Sequence, residues 1–322
     1  MLKVRVTHEL EELRRLWEAH WPSRCLFDLW PVRACFQARF DREPHVLTAF
    51  RGDSFQGMLA LSRVEEEDVF GHFPGETWQG KTWLEQNRLL SSGSLTAAAL
   101  LESAPAPSVI RYLVEPGRPG AASLQELDEV GYLFYPSKTG FRFENHLNSF
   151  SSKSRRKIRR ELERLSAPGV AFRYDRPGDL ELMFQLNLEG YGELSYFRDP
   201  RFLGAFEDLA SVLHALGLLR VTTVLIGGRV AAVDMGAVWN STYTVLAGGT
   251  HPDFPGVAKL INFHHLERAC RERFSWVDFL CGDFNWKERF HLTPRPLYKL
   301  TRRLEVPDLQ PWEPVHSLAC GC

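Results

Sequence analysis

Hydrophobic and polar positions alternate with two different periods along the first part of the chain. The first residues, MLKVRVT, alternate like a short strand, and the wider spacing of a charged helix follows at 8–20. Two further apolar runs, 45–50 and 56–64, flank the turn Arg51-Gly52-Asp53-Ser54. Two such runs joined by a short glycine-containing turn predict a β-hairpin.

The stretch from residue 70 to residue 90 fits neither period. It reads FGHFPGETWQGKTWLEQNRLL, and loops this rich in large aromatic residues commonly cover a ligand or pack against another domain. Beyond it the pattern predicts a helix at 94–103, a strand at 108–115, a helix at 121–130 and a strand at 131–138. This alternation predicts a sheet with helices on its faces.

The second half opens with a strongly basic helix and continues with mixed elements. Gly227-Gly228 predicts a tight turn between two of its strands, because glycine tolerates positive φ. The predicted elements are helix 152–165, strand 170–176, helices 179–190 and 201–216, strands 220–226, 229–239 and 242–248, helix 257–273, strand 276–280 and a last strand at 296–306.

Length and charge narrow the class of protein. A chain of 322 residues suits two domains or one large α/β domain. A formal net charge of -1 excludes a whole-molecule attraction to nucleic acid or to an anionic membrane, so any phosphate site must be local. The sequence shows no secretory signal and no run of 18 apolar residues, so we expect a cytoplasmic protein without a membrane span.

Six cysteines are scattered without a Cys-x-x-Cys pair or a histidine at zinc-ligand spacing, so no metal site is predicted. Cys25, Cys35, Cys270 and Cys281 lie in apolar or helical contexts and are interpreted as small core residues. The terminal Cys320-Gly321-Cys322 stays open, because exposed thiols in a tail could chelate a metal, carry a lipid or oxidise.

Three segments carry a family resemblance: SSKSRRKIRRELERL, the FPG turn before a helix, and VDFLCGDFNWKERF. Together with the order of strands in the second half, they resemble the CelD/FemAB-like branch of the GNAT acyltransferase superfamily. The resemblance covers nearly the whole chain, and the last segment is the most specific. It implies an α/β (α+β) fold of two tandem GNAT-like domains, each a mixed, largely antiparallel sheet flanked by helices. We place the acceptor-side domain at 1–148 and the catalytic domain at 149–322.

The last of these segments places charges beside aromatic residues. Asp283 and Lys287 have the i, i+4 spacing of an ion pair, and Asp283 is placed to cap a short helix. The resemblance implies that Lys287 supplies positive charge to the oxyanion formed during acyl transfer. The alternative is a surface pair that contributes little. Trp286 stands where the family usually has Tyr, which puts any role of a phenolic hydroxyl there in doubt.

Asp234 interrupts an apolar strand. A buried carboxylate is costly unless it is paired, and it can serve as the general base for an incoming amine. Pairing with an arginine or a hydrogen bond to Tyr243 stays open as an alternative. His251 is a spare base, whereas the adjacent His264 and His265 cannot both face one site and are interpreted as core or surface residues.

The proposed donor site is the start of the helix after the FPG turn. The resemblance implies that the donor's pyrophosphate lies against the backbone of Gly256, Val257 and Ala258, where the helix dipole favours an anion. A plain turn into a helix is the alternative. No permanently bound cofactor is expected, and acyl-CoA would be a co-substrate.

The acceptor side is predicted from two regions. Arg155 and Arg159 lie one turn apart on the basic helix, which Ser152 can cap, and arginine suits bidentate binding of phosphate or carboxylate. A solvated helix face is the alternative. From the Trp-rich loop, Trp78, Lys81, Trp83 and Asn87 could line an acceptor cleft between the domains, with packing as the alternative for the two tryptophans.

These interpretations converge on an N-acyltransferase. It would move an acyl group other than an aminoacyl group directly from acyl-CoA to a primary amine of a small molecule or peptide. One alternative is a FemAB-type peptidyl transferase that uses aminoacyl-tRNA, with Arg155 to Arg160 along the RNA phosphates; otherwise nucleic acid is not an expected partner. Another is a non-catalytic adaptor that keeps the fold.

Overall fold

The computed structural model describes residues 1–115, 123–282 and 286–303. Within these stretches the α-helices are α1 (Leu10–His20), α2 (Trp30–Phe40), α3 (Ser94–Ser103), α4 (Phe143–Asn148), α5 (Ser152–Ser166), α6 (Asp179–Tyr191), α7 (Pro200–Ala215), α8 (Val257–Glu272) and α9 (Trp286–Arg289). Short 3-10 turns lie at Leu26–Asp28, Glu65–Glu67, Pro136–Thr139, Gly192–Leu194 and Tyr196–Arg198.

The strands of the same stretches form one continuous mixed sheet. They are β1 (Leu2–Thr7), β2 (Pro44–Arg51), β3 (Ser54–Val64), β4 (Val69–His72), β5 (Leu90–Ser91), β6 (Ser108–Leu113), β7 (Ser123–Phe134), β8 (Val170–Tyr174), β9 (Leu219–Ile226), β10 (Arg229–Trp239), β11 (Thr242–Thr250), β12 (Trp276–Asp278) and β13 (Thr293–Arg302). Their order is β1-β2-β3-β4-β6-β13-β7-β12-β11-β10-β9-β8, and β5 pairs with β3. The predicted hairpin is the antiparallel pair of β2 and β3.

Helices cover both faces of the sheet. Along β10, Val233 and Met235 pack in the same core as residues of α2, α6 and α7, whereas Ala232 packs with Leu165 of α5 and Ile261 of α8. This alternation follows from the two-residue period of a strand, which directs successive side chains to opposite faces. The two layers enclose β10 from both sides.

The predicted helix at 121–130 is wrong. Residues from Ser123 onwards belong to β7, which pairs along the whole length of β13. The local composition, with Gln125, Glu126 and Glu129, favours a helix, but a partner strand about 170 residues later decides the outcome. Tertiary pairing overrides a weak local preference of this kind.

Helix α2 was not predicted from the pattern of the sequence. Most of its side chains are buried, including Trp30, Val32, Phe36 and Phe40. A helix that is buried nearly all round lacks the polar face on which sequence detection depends. Pro31 lies in its first turn, where a missing N–H costs nothing.

The C-terminal strand joins the two halves of the chain. Strand β13 lies between β6 and β7, antiparallel to both, so residues from the end of the chain complete the sheet of the first half. Strand β7 in turn pairs with β12 of the second half. The division at residues 148 and 149 stays a prediction, and the strand pairing crosses it.

Candidate active site

The site is built where two parallel strands separate. Strands β11 and β12 pair only from Thr242 to Thr244, opposite Trp276 to Asp278. Strand β11 continues to Thr250, whereas the chain after Asp278 bonds to Tyr132 of β7. Among the described residues, 245–250 therefore have a strand neighbour only on the β10 side. The diverging strands leave this edge of β11 without a described strand partner, and the Asn187 side chain of α6 donates to the Gly248 carbonyl oxygen at 2.7 Å.

Asp234 lies on β10 directly opposite Gly248 of β11. Its Oδ2 atom is 2.9 Å from Nε2 of His265 on α8, and both side chains are buried. A Cβ atom added to Gly248 would lie 2.2 Å from Asp234 Oδ1, so the missing side chain makes room for this oxygen. The sequence predicted that Asp234 is a buried carboxylate that needs a partner. The partner of Asp234 is a histidine and not an arginine or Tyr243.

A row of polar groups surrounds this carboxylate beneath α8. Thr222 of β9 pairs with Asp234 in the sheet, and the ring of Tyr243 fills the space left by Gly236. The two hydroxyls and Nδ1 of His265 are buried without a hydrogen-bond partner in the described part of the chain. Burial raises the pKa of Tyr243, and the negative charge of Asp234 adds to this effect.

The proposed donor site lies at the start of α8. Gly256 has φ of 95°, a conformation that glycine adopts without strain. Val257 is buried against Leu165 of α5, whereas Gly256 and Ala258 are exposed. The Val257 N–H donates to the Phe254 carbonyl oxygen at 3.1 Å, so it is already bonded within the turn. No ligand contact tests the prediction.

The C-terminal part of α5 lies beside the same helix start. Arg164 Nη2 lies 3.5 Å from the Pro255 carbonyl oxygen, and Glu161 forms an ion pair with Lys259 of α8. Helix α5 begins with Ser151 as its N-cap, since the Ser151 side chain accepts a hydrogen bond from the Ser154 backbone. The predicted cap, Ser152, is therefore wrong by one residue.

Lys287 of α9 is buried and points into the protein. Its Nζ atom donates to the backbone carbonyls of Leu280, at 2.9 Å, and Cys281, at 2.6 Å. Burial lowers the pKa of this amine, and the charge of Glu85 acts in the opposite direction. The amine holds the turn that follows β12, so a contact with a reacting carbonyl stays a prediction. Asp283, its predicted partner, lies outside the described residues.

A buried charged cluster next to Lys287 was missed from the sequence. Asp278 accepts hydrogen bonds from Gln86 and from Arg295, each at 2.9 Å, and is not directed toward an open cleft. Glu85 accepts from the Cys281 backbone N–H at 2.7 Å. Burial, with the negative charge of Asp278, raises the pKa of Glu85 to about 6. The cluster joins the Trp-rich loop to the end of β12 and to β13.

Three residues around this cluster have strained backbone. Gln86, Tyr112 and Leu280 have φ values of 58°, 55° and 57°. Non-glycine residues in this region cost free energy and persist where the surrounding contacts determine them. Such strain is frequent near functional sites. The buried charged cluster between the Trp-rich loop and the end of β12 is therefore a second candidate site beside Asp234.

The predicted acceptor residues are not brought together. Asn87 is buried, and its side chain bonds to Arg33 and to the carbonyls of Leu84 and Arg111. Trp78 packs partly into the core, and its backbone forms a bridge with Lys81. These contacts give Asn87 a structural role. They do not support a contact between Asn87 and an acceptor, which stays a prediction.

The two predicted arginines of α5 contact α4 and its end. Arg155 donates to Asn148 at 2.6 Å, and Arg159 forms an exposed ion pair with Glu144 at 2.5 Å. A surface cleft of 450 Å³ lies nearby but contains none of the predicted site residues; it is lined by Lys138, Thr139, Gly140, Asn145, His146, Ser149 and His291. The two arginines are thus engaged with α4 and its end, and no contact described for them involves Asp234.

Comparison with known proteins supports the fold. Residues 152–288 match the family model described as an acetyltransferase (GNAT) domain. A conserved protein of unknown function from Bacteroides thetaiotaomicron superposes with a TM-score of 0.60 at 13% identity, over 93% of this chain and 99% of that chain. FemX superposes with a TM-score of 0.60 at 13% identity, over 93% and 97%. No curated protein sequence matches the chain.

A third solved structure, L-PGS from Bacillus licheniformis, superposes with a TM-score of 0.54 at 10% identity, over 93% of this chain and 94% of that chain. At these identities the likeness shows the fold. The superpositions confirm the predicted α/β fold class, and the match of residues 152–288 agrees with the resemblance to the CelD/FemAB-like branch of the GNAT superfamily. A second GNAT-like domain in residues 1–148 stays a prediction. No helix of the described stretches has the length and apolarity to cross a membrane.

Proposed function

We propose that the protein is an N-acyltransferase that moves an acyl group from acyl-CoA to a primary amine of a small molecule or peptide. The observation that carries the proposal is the Asp234 carboxylate, which lies opposite Gly248 where β11 loses its neighbour β12. A carboxylate beside such an opening is suited to accept a proton from an amine. The matched GNAT domain supports the reaction class.

In the proposed reaction the amine nitrogen attacks the thioester carbonyl. The C–N bond forms, the C–S bond breaks, and the electron pair of that bond leaves on sulfur. Asp234 accepts the proton that the amine releases, and solvent protonates the thiolate. No covalent enzyme intermediate is required, because holding donor and acceptor together supplies much of the acceleration.

The donor would lie along the start of α8, with its pyrophosphate at Gly256, Val257 and Ala258. The exposure of Gly256 and Ala258 supports this placement. Lys287 would add positive charge beside the carbonyls of Leu280 and Cys281, from where it steadies the oxyanion. We keep Asp283 as its proposed partner.

A thermal-shift series across acyl-CoA chain lengths tests the donor, because a ligand that binds the folded state raises its melting temperature. We expect stabilisation by at least one chain length. Stabilisation by none would overturn the assignment of acyl-CoA and favour the adaptor. A cytoplasmic location and an amine acceptor belong to the same proposal.

Lys287 is tested by activity. Lys287→Met keeps the apolar stem and removes the charge, and Lys299→Met removes a surface lysine paired with Glu126. We expect a large loss of rate only for the first variant. Equal activity of Lys287→Met and the wild type would remove this lysine from the mechanism.

An aminoacyl-tRNA donor is a second candidate, because the basic face of α5 is largely exposed, including Arg156 and Arg160. Those arginines would then follow RNA phosphates, and binding would weaken steeply with salt. The measurement is tRNA affinity at two salt concentrations for the wild type and for Arg156→Gln with Arg160→Gln. Absence of a salt-dependent complex would exclude this donor.

A further inference from the structure

His265 is a buried histidine in the middle of α8, and its side chain is 0% exposed. Its Nε2 atom lies 2.9 Å from Asp234 Oδ2. Because an ionised carboxylate only accepts hydrogen bonds, the nitrogen facing it must carry a proton. The imidazole therefore donates to one oxygen of the carboxylate and fixes its orientation.

The two oxygens of Asp234 have different surroundings. Oδ2 is bound to His265, whereas Oδ1 lies over Gly248, at the position that a side chain there would occupy. Oδ1 makes no hydrogen bond to the described protein atoms. Gly248 belongs to the part of β11 that β12 does not pair, and its carbonyl oxygen accepts a hydrogen bond from Asn187 of α6. One oxygen is thus held by His265, and the other lies over Gly248 without a described hydrogen-bond partner.

The geometry points to His265 as the positioning residue of the reaction: it orients Asp234 so that Oδ1 receives the proton of the attacking amine. This inference rests on the proposed function and adds to it the residue that prepares the base. His265 itself neither touches the substrate nor changes its proton count. The amine proton moves to Oδ1 and then to solvent.

The sequence around the pair favours a functional origin over a structural one. Both neighbours of Asp234 on β10, Val233 and Met235, are fully buried apolar residues. An apolar residue at 234 facing Ile or Leu on α8 would avoid the cost of burying a charge, and such replacements are often neutral or stabilising. A buried ionisable pair at an opening in the sheet is therefore a candidate for chemistry.

Other titratable groups face the pair from several elements, and those that titrate within the pH range of the assay enter its pH dependence. They are Tyr243 on β11, Tyr191 on α6, His264 and Arg268 on α8, and Asp175 after β8. The pKa of Tyr191 is raised, mainly by burial and further by the charge of Asp234. The pKa of His264 is lowered to about 3, chiefly by burial. His264 therefore stays neutral across the pH range of the assay.

The test compares His265→Phe, which removes the donor, with His265→Gln, which keeps an amide N–H. We expect His265→Phe to lower kcat about 100-fold, the loss typical of a displaced reacting group, with KM for acyl-CoA within about twofold. The acidic limb of its pH–rate profile should move to higher pH, because a carboxylate that loses a donor holds its proton more tightly. His265→Gln should recover most of the rate.

His264→Phe is the matched control, because His264 is the neighbouring histidine of the same helix and contacts Phe172 and Tyr174, not Asp234. It should keep the wild-type kcat and pH profile. Gly248→Ala gives a second test that leaves His265 in place. Its Cβ would displace Oδ1, so kcat should fall as in His265→Phe.

A His265→Phe protein with wild-type kcat and pH profile would overturn the inference, as would equal losses in the two histidine variants. If the wild type transfers no acyl group at all, the proposed function fails, and the pairing is then read from the imidazole ¹⁵N shifts. A proton on Nε2 whose signal moves in Asp234→Ala supports the pairing, and an unchanged signal rejects it.

Discussion

Glu85 lies in the Trp-rich loop and contacts the turn that follows β12. Its carboxylate is buried, bonds to the backbone of Cys281 and lies 3.8 Å from Arg295. Its Oε2 atom has no hydrogen-bond partner among the described residues. Burial therefore favours the neutral form, and the pKa of Glu85 rises from its ordinary value of 4.5 to about 6.

This shift predicts a pH-dependent stability. The folded state binds the Glu85 proton more tightly than the unfolded state, so this proton adds fully to the free energy of unfolding below pH 4.5. The contribution is lost as pH rises through 6. The shift corresponds to roughly 2 kcal/mol. Glu85→Gln should remove this loss, so the variant gains stability relative to wild type between pH 4 and pH 7. Urea midpoints measured at several pH values check this, and parallel curves would contradict it.

The partners of these residues explain why the sequence disclosed Asp234 but not Glu85 or His265. Asp234 was recognisable because a charge in an apolar strand is locally anomalous. Glu85 lies in a polar loop, and its partner Cys281 is 196 residues away in the chain. His265 was interpreted as a core or surface residue, which its burial fits, but its contact with Asp234 depends on how α8 crosses β10.

One buried arginine, Arg33, connects helix α2 to neighbouring segments by hydrogen bonds. Arg33 donates to the carbonyls of Phe27, at 2.8 Å, and Phe73, at 2.6 Å, and to Asn87 at 2.7 Å. It thereby joins α2 to the Trp-rich loop beyond β4. Removing it would leave three buried acceptors without their donor.

We predict that Arg33→Leu lowers the free energy of unfolding by about 3 kcal/mol or more, because each unsatisfied buried group costs about 1–3 kcal/mol. Arg39→Leu on the same helix is the control. Its ion pair with Asp208 is partly exposed, so the expected loss is within about 1 kcal/mol. Chemical denaturation of the two variants makes the comparison, and equal losses would contradict the role of Arg33.

The two errors in assigning elements have different physical causes. Helices α5, α6, α7 and α8 and the strands β9 to β11 follow their predicted ranges closely, because their patterns are local. The segment in β7 was misassigned because its partner β13 is remote, and α2 was missed because it is buried nearly all round. Local periodicity shows neither a strand partner that is remote in sequence nor a helix that is buried nearly all round.

Strand β13, which lies near the C-terminus, is inserted into the sheet of the first half of the chain. Leu300 of β13 is buried in a core with Leu47 and Leu59 of the hairpin and Leu100 of α3. The halves are also joined by aromatic contacts between α2 and α7, such as Phe36 with Phe202. Separation of the halves would expose both contacts.

We predict that Leu300→Ala destabilises the protein by about 2–5 kcal/mol, the range for truncated core leucines. Leu127→Ala on the neighbouring strand β7 is the control, because Leu127 is 58% exposed. Amide exchange in β2 and β3 should accelerate in the first variant although the substitution lies near the C-terminus. Equal effects of the two variants would contradict the placement of β13.

The central claim is that Asp234 accepts the proton of an amine during acyl transfer from acyl-CoA. The most direct measurement is mass spectrometry of products from wild type and Asp234→Asn, with a series of acyl-CoA donors and primary amines. We predict an acylated amine and an equal amount of free thiol from the wild type, formed about 10²–10⁴ times more slowly by the variant. Equal rates in the two proteins, or no thiol released from any donor, would contradict it.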